Sequence, residues 1–174
     1  MDAPTPSFLA GRAAPDPFAG VLAGLIAGAV YLLAQMLFAA LHGGAAWEPL
    51  QRFSAMLLGD DVLPPPGEID LTIAGFALLI HFGLAIVFGR VVDLVVTDHA
   101  PAAAVGWGAL VGLALYGLDY WLVTPVAFPW FENARGLTTL IDHLLFGVVA
   151  AVAYVHLRRI LHPAGAAAAA AGRH

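Results

Sequence analysis

Cysteine and lysine are missing from this chain, and charged residues of any kind are few. The absence of cysteine excludes disulfides, thiolate metal sites and thiol catalysis. Only 11% of the residues are charged, against about 25% in ordinary globular domains. No basic patch indicates a nucleic-acid partner. No phosphate loop, nucleophile elbow or closely spaced histidine pair indicates an enzyme or a metal site, so we expect a non-enzymatic protein.

Long apolar runs take up most of the sequence instead. Hydrophobic residues make up 61% of the chain, and its mean hydropathy is +0.86. A bilayer core about 30 Å thick is crossed by roughly 20 apolar helical residues. The sequence therefore predicts an all-α integral membrane protein in a lipid bilayer, with one four-helix transmembrane domain over residues 18–161. Its predicted helices 1 to 4 cover residues 18–41, 71–96, 102–123 and 137–157.

The arginines predict the orientation of this bundle. Short loops with excess arginine stay on the cytoplasmic side of a membrane. Residues 1–17 form the predicted N-terminal cytoplasmic segment, and residues 162–174 form an alanine-rich cytoplasmic tail. Arg52 and Arg135 lie on the opposite, external side. The five arginines on the predicted cytoplasmic side are Arg12, Arg90, Arg158, Arg159 and Arg173.

The first external loop contains a helix of another kind. Apolar residues recur at helical spacing over residues 47–58, which predicts a short amphipathic helix lying in the membrane interface. Two local ion pairs are expected outside the spans, Glu48 with Arg52 and Glu132 with Arg135, because each pair is separated by one helical turn.

Helices 1 and 2 resemble helices 3 and 4, which suggests two parallel-repeated hairpins. This alignment also pairs His81 with His143. A shift of helix 4 by two residues aligns Phe82-Gly83 with Phe146-Gly147 instead, and chance similarity between common membrane residues explains the pattern equally well. Both interpretations therefore stay open. The matched positions are Ala23, Ala27, Tyr31 and Gln35 with Gly108, Gly112, Tyr116 and Tyr120.

Glycines at four-residue spacing mark the expected helix contacts. They let two backbones approach closely in a membrane, where no hydrophobic effect drives helices together. Packing within the bundle is favoured over a dimerisation surface, with helices 1 and 3 in tight contact. The glycines are Gly20, Gly24 and Gly28 in helix 1 and Gly108 and Gly112 in helix 3.

Ionisable residues inside the spans are the candidate functional groups, because a charge at this depth is costly unless it is paired or solvated. His81 lies near the middle of helix 2, and a hydrogen bond between Asp119 and His143 is predicted across the second hairpin. Asp142 points about 100° away from His143 on the same helix. Gln35 is the expected partner of His81.

Three functional hypotheses follow from these residues. In the first, the chain is an accessory or structural subunit of a larger membrane assembly, or a homo-oligomer, and its polar groups tie helices together. In the second, His81 and His143 are the axial ligands of a b-type haem. In the third, Asp119, His143 and His81 carry protons or ions across the membrane, with Asp142, Gln35, Tyr116 and Tyr120 nearby.

Three short segments resemble a known group of proteins. They are His81-Phe82-Gly83, residues 129–131 (Pro-Trp-Phe) and residues 142–147 (Asp-His-Leu-Leu-Phe-Gly). These segments resemble short, four-helix, uncharacterised bacterial inner-membrane proteins, some of which have a sodium:proline symporter label. The resemblance implies a bacterial inner membrane and no established activity. The label is not carried over, because full symporters have many more spans and broken helices.

Overall fold

Helices make up nearly all of the chain that a computed structural model describes, which is residues 14–63, 70–97 and 99–163. No strand occurs in these ranges. Residues 1–13 and 164–174, with Arg12 and Arg173 and most of the two predicted cytoplasmic segments, lie outside the described residues. Two short 3₁₀ helices cover Asp60–Val62 and Pro129–Ala134. The five long helices are α1 (Pro17–Leu41), α2 (Glu48–Leu58), α3 (Leu71–Val96), α4 (Pro101–Ala127) and α5 (Leu137–Leu161).

Four of these helices, α1, α3, α4 and α5, are long and apolar enough to cross a membrane. They correspond to predicted helices 1 to 4, and the prediction of a four-helix membrane protein is confirmed at this level. Both α4 and α5 continue four residues beyond their predicted ends, to Ala127 and Leu161. Pro125 did not end α4, because it lies in the first turn of a short α-helical segment (Thr124–Ala127).

Small side chains fill the interior of the bundle, and large apolar side chains cover its outside. Ala23, Ala27 and Ala150 are fully buried. Leu33, on the outside of α1, is 65% exposed, and Leu79, on the outside of α3, is 67% exposed. This distribution suits a bilayer, where a large apolar side chain gains nothing by leaving the lipid and small residues let helices pack closely.

The first hairpin packs through its glycines. A Cβ added to Gly24 would overlap the Ala85 carbonyl oxygen of α3, and a Cβ on Gly89 would overlap the Gly20 backbone of α1. Gly28 faces the Ala85 side chain. The glycines of α1 therefore contact α3. The sequence predicts instead that helix 1 packs tightly against helix 3, which is α4 in the structure.

The second hairpin packs in the same way. A Cβ on Gly112 would overlap the His143 carbonyl oxygen, and a Cβ on Gly147 would overlap the Gly108 carbonyl oxygen. The glycines of α4 thus serve its contact with α5. Beyond the hairpins, α1 also packs along α5, and this contact closes the bundle.

These equivalent contacts align the two hairpins in a register that differs from the predicted one. Residues 20–25 (Gly-Val-Leu-Ala-Gly-Leu) match residues 108–113 (Gly-Ala-Leu-Val-Gly-Leu), and residues 86–89 (Ile-Val-Phe-Gly) match residues 144–147 (Leu-Leu-Phe-Gly). Gly108 therefore pairs with Gly20 rather than Ala23, and His143 pairs with Ala85 rather than His81. The two histidines do not occupy equivalent positions.

Helix α2 begins one residue after the predicted start and packs across α3 and α1. Its buried face includes polar residues as well as Leu50. Gln51 and Ser54 are buried, whereas Leu57 is 59% exposed. Ser54 is fully buried because its small side chain allows close approach, and its hydroxyl is satisfied by the Gln51 carbonyl at 2.9 Å.

The two ends of the bundle are distinct. The terminal end, as we call it, is where α1 begins and α5 ends. The loop end is where α2 and the residues between α4 and α5 lie. Asp16 caps α1 at the terminal end, and Asp70 caps α3 at the loop end, each through its side-chain oxygen.

Candidate functional site

His143 is the centre of the polar groups inside the bundle. It lies six residues into α5, about 9 Å from the loop end of that helix, and is buried. Its Nδ1 is 2.8 Å from the Thr139 carbonyl oxygen, and its Nε2 is 3.3 Å from Oδ2 of Asp119 on α4. The contact between Asp119 and His143 is the one that the sequence predicts.

The partners of His143 determine where its protons lie. A carbonyl oxygen only accepts hydrogen bonds, so Nδ1 carries a hydrogen and donates it to Thr139. Nε2 and the Asp119 carboxyl group then share one proton. The pair is either imidazolium with carboxylate or neutral imidazole with carboxylic acid, and loss of that proton would set two lone pairs against each other. The geometry therefore allows one proton to be held between the two side chains.

Three tyrosine rings surround His143. The ring centroids of Tyr31, Tyr116 and Tyr120 lie 5.4, 5.7 and 5.8 Å from that of the imidazole, each in an edge-on arrangement. Tyr31 comes from α1, and the other two come from α4. The aromatic surroundings keep lipid and bulk water away from the imidazole while leaving polar hydroxyl groups nearby.

An irregular turn of α4 carries Asp119 and Tyr120. Residues Leu118–Val123 form a π-helical turn within the span. The sequence predicts a regular helix here, and the difference has a local cause. Pro125 lacks an N–H, and its ring would clash with the carbonyl of Trp121 in a regular helix, which the wider turn avoids. Such turns often occur at functional sites.

His81 has a partner other than the predicted one. Its Nε2–H donates to the Gly28 carbonyl oxygen at 2.8 Å. Gln35 lies seven residues, or about 10 Å, further along α1 than Gly28, and its amide donates to the Tyr31 hydroxyl at 3.0 Å instead. Gln35 is therefore connected to the surroundings of His143 through Tyr31, and not to His81.

The two histidines do not face each other. The Tyr31 ring stacks 5.8 Å from the His81 ring and lies edge-on to the His143 ring, so it stands between them. Nε2 of His81 and both nitrogens of His143 face protein acceptors. This arrangement does not fit a haem with two axial histidines, which needs free nitrogens on both sides of an open slot.

A polar cavity of about 410 Å³ opens at the loop end, above His143. Gln35 of α1, Tyr120 of α4 and Asp142 of α5 line it together with residues of α2 and the segment before α5. Asp142 is 7% exposed and lies next to His143 in the chain. The predicted site residues thus come together, except His81, which lies deeper in the bundle.

The charged residues at the mouth of the cavity have different partners. Arg52 forms an ion pair with Glu48, as predicted. Arg135 does not pair with Glu132 among the described residues. Its guanidinium lies 4.3 Å from the centroid of the Trp121 ring, because the 3₁₀ turn that ends at Ala134 carries Arg135 toward α4.

A second polar cluster, which sequence reasoning missed, lies at the terminal end. Asp93 of α3 is fully buried and forms an ion pair with Arg90. Its Oδ1 accepts from the Thr97 hydroxyl and the Asp16 N–H, both at 3.1 Å. The Tyr154 hydroxyl bonds to Thr97 and accepts from the Asp16 N–H at 3.2 Å. The sequence contains a signal for this cluster, because Arg90 and Asp93 are opposite charges one helical turn apart inside a predicted span.

Asp16 joins this cluster to the end of α5. Its Oδ2 lies 2.8 Å from Nε2 of His162. Partial burial raises the pKa of Asp16, but the hydrogen bonds from the Ala19 and Phe18 amides and from His162 outweigh it, so the pKa is lowered from its ordinary value of 3.8. The start of α1 is thereby tied to the ends of α3 and α5.

Comparison with known proteins finds no matching family model, no similar curated protein and no similar solved structure.

Proposed function

We propose that this protein is a small, non-enzymatic, multi-pass membrane protein that moves protons or ions through its core. The proposal rests on one observation. His143 has its Nδ1 held by the Thr139 carbonyl oxygen and its Nε2 by Asp119, so a single proton is shared inside a predicted span. Intramembrane pairs of carboxylate and imidazole are the groups that proton-moving proteins use.

The surroundings of this pair favour uptake of the proton from the loop end. The polar cavity leads to Gln35 and Asp142. Gln35 in turn bonds to the Tyr31 hydroxyl, and the Tyr31 ring contacts both histidines. Polar groups therefore continue from the cavity to the middle of the bundle.

A dry layer follows beyond His81, which lies on the other side of Tyr31 from His143. Ala27, Ala85, Ala150 and Phe146 are buried in the same core, and among the described residues the next buried polar side chain toward the terminal end is Asp93. An uninterrupted pore would conduct without control, whereas this arrangement connects the proton site to the loop end through polar groups and separates it from the terminal end. Transfer to the other side then requires a second packing of the helices.

The proposed orientation has the terminal end in the cytoplasm of a bacterial cell and the cavity on the external face of the inner membrane. Arg158 and Arg159 close α5 at the terminal end, where anionic lipid and the excess of arginine favour the cytoplasmic side. Asp60, Asp61 and Glu132 lie at the loop end. Protons would enter from the more acidic external side.

Proton flux into liposomes tests the proposal. The full chain is reconstituted, a membrane potential is imposed, and internal acidification is followed with a pH-sensitive dye. Asp119→Asn keeps the size of the side chain but removes the shared proton, and we expect flux to fall at least about tenfold. Asp61→Asn, which makes the same change on an exposed 3₁₀ helix at the loop end, serves as the control. Equal flux in wild type and Asp119→Asn would reject Asp119 as the carrier.

A second candidate function, an accessory subunit of a larger membrane assembly, has its own observation. A Cβ added to Gly75 or Gly83 on α3 would meet no atom within 4 Å. With the exposed side chains of Leu79 and Val87, these glycines follow one face of the helix at four-residue spacing. Such a face allows close approach of another membrane helix.

A further inference from the structure

Asp142 occupies an unusual position in the cavity at the loop end. It lies five residues into α5, about 7 Å deeper along the helix axis than the segment that precedes α5. The side chain lines the cavity although the residue is only 7% exposed. A carboxyl group is therefore directed into a space of about 410 Å³, which lies within the usual size range of small-molecule sites.

The other charged or titratable side chains of the cavity have contacts other than Asp142, and Arg135 keeps its positive charge because no described acid forms an ion pair with it. Arg52 is paired with Glu48. The Arg135 guanidinium lies over Trp121, which is not part of the cavity wall. Nδ1 of His42 is held by the Phe38 carbonyl oxygen at 2.8 Å. Among the described residues that line the cavity, Asp142 is the acid without an ion-pair partner.

A buried carboxylate without a counter-ion is costly, so Asp142 needs either a proton or a cation. The cavity wall is suited to a cation that carries hydrocarbon. Phe38, Tyr120 and Phe131 contribute aromatic rings, and ring faces attract ammonium groups. Thr139 and Gln35, which hydrogen-bonds to the Asp142 carboxyl group, add neutral polar groups that supply no positive charge.

We propose that the cavity binds a small organic ammonium ion in exchange for a proton on Asp142. The nitrogen of the ligand contacts the Asp142 carboxylate, and its alkyl groups contact the aromatic rings. The O–H bond of the carboxylic acid breaks as the ligand enters, and the proton leaves to water, so that one positive charge replaces another. This inference rests on the proposed proton function and names the class of solute that is exchanged.

Several groups face Asp142 and contribute to the pH dependence of the exchange. His143 is its neighbour on α5, and Gln35 and Tyr31 face it from α1. The remaining titratable or charged groups, from α4, α2 and the adjoining segments, are Tyr120, His42, Glu48, Arg52 and Arg135.

Calorimetry on the purified full chain in detergent tests the inference, with propylammonium and tetraethylammonium chloride as probes. We expect binding with release of close to one proton per ligand, read from the dependence of the heat on the ionisation enthalpy of the buffer. Asp142→Asn should weaken binding at least about tenfold, since it removes the charge but keeps the shape. Asp61→Asn, which changes an exposed carboxylate outside the cavity, should bind like wild type.

Two results would overturn the inference. One is an absence of binding of both probes to wild type, and the other is equal affinity in wild type and Asp142→Asn. If Asp142→Asn does not fold, the wild-type protein still tests the inference. An affinity of wild type for the probes that does not weaken as the pH falls would exclude competition between the ammonium ion and a proton. Proton flux without ammonium binding rejects this inference alone. Ammonium binding without proton flux rejects the relay through Asp119 and leaves the cavity site in place.

Discussion

Asp16 combines two stabilising roles in one side chain. It accepts hydrogen bonds from the Phe18 and Ala19 amides at the start of α1 and contacts His162 at the end of α5. Its pKa is lowered in the folded protein, so its contribution is present above the ordinary value of 3.8 and is lost as the pH falls through the lower, folded value. We expect Asp16→Ala to cost about 1 kcal/mol at neutral pH and progressively less in acid. Thermal unfolding in detergent across this pH range measures the difference.

Asp70 provides the matched control for Asp16. It caps α3 through bonds to the Thr72 and Ile73 amides, at 2.7 and 3.1 Å, and no described histidine pairs with it. Asp70→Ala therefore reports the loss of a cap alone. If the effect of Asp16→Ala stayed constant down to the most acid pH tested, the ionised carboxylate would not be the stabilising species.

Depth along a helix was predictable for single residues, but direction around the helix was not. The contact between Asp119 and His143 followed from their similar distance from the loop end. The partner of His81 was missed because it is the backbone carbonyl of Gly28, which no side-chain pattern reveals. Asp93 lies near the end of a span, where the sequence alone does not show that the start of α1 covers its side chain.

Glycine packing in the hairpins can be tested by adding a single methyl group. A Cβ on Gly147 would overlap the Gly108 carbonyl oxygen, and a backbone atom cannot move aside as a flexible side chain can. We expect Gly147→Ala to destabilise the protein by about 1–3 kcal/mol, because α4 and α5 must separate. Gly83→Ala, in open space on α3, should leave stability unchanged or raise it slightly, since alanine favours a helix. Unfolding of the two variants in the same detergent makes the comparison, and equal stability would contradict the close contact.

The existence of the four long helices was predictable, but their relation to one another was not. Apolar length alone indicated each span. The register that the sequence predicts for the two hairpins differs from the one that the glycine contacts favour, because alanine, glycine and tyrosine recur by chance in membrane helices. The stronger signal was the shared Gly-x-Leu-x-Gly-Leu pattern of residues 20–25 and 108–113. The π turn of α4 required knowledge of how Pro125 fits against Trp121 in three dimensions.

An apolar layer in the bundle separates the polar groups that run from the loop end to His81 from the polar cluster at the terminal end. The loop end has an open cavity with groups that can change their protonation, whereas the terminal end has the ion pair of Arg90 with Asp93, closed over by the start of α1. The former is suited to exchange with its surroundings, and the latter holds three helices together. This asymmetry explains why the bundle can be open on one side while the other side stays sealed.

The open face of α3 is the surface at which the proposed membrane partner would bind. Gly83 leaves room for another helix, and Leu79 on the same face is 67% exposed. Because the chain has no native cysteine, Leu79→Cys bears the only attachment point for a photo-crosslinker. We expect this variant to capture a membrane protein or a second copy in native membranes. Val152→Cys on α5, an exposed position away from that face, should capture far less.

A second substitution, Gly83→Leu, blocks the same face. Added to Leu79→Cys, it should abolish the crosslink without unfolding the chain, since the new leucine side chain meets open space. Equal capture from both positions, or a chain that leaves its native membrane as a monomer in mild detergent, would reject the accessory-subunit hypothesis and leave proton or ion movement to the single bundle.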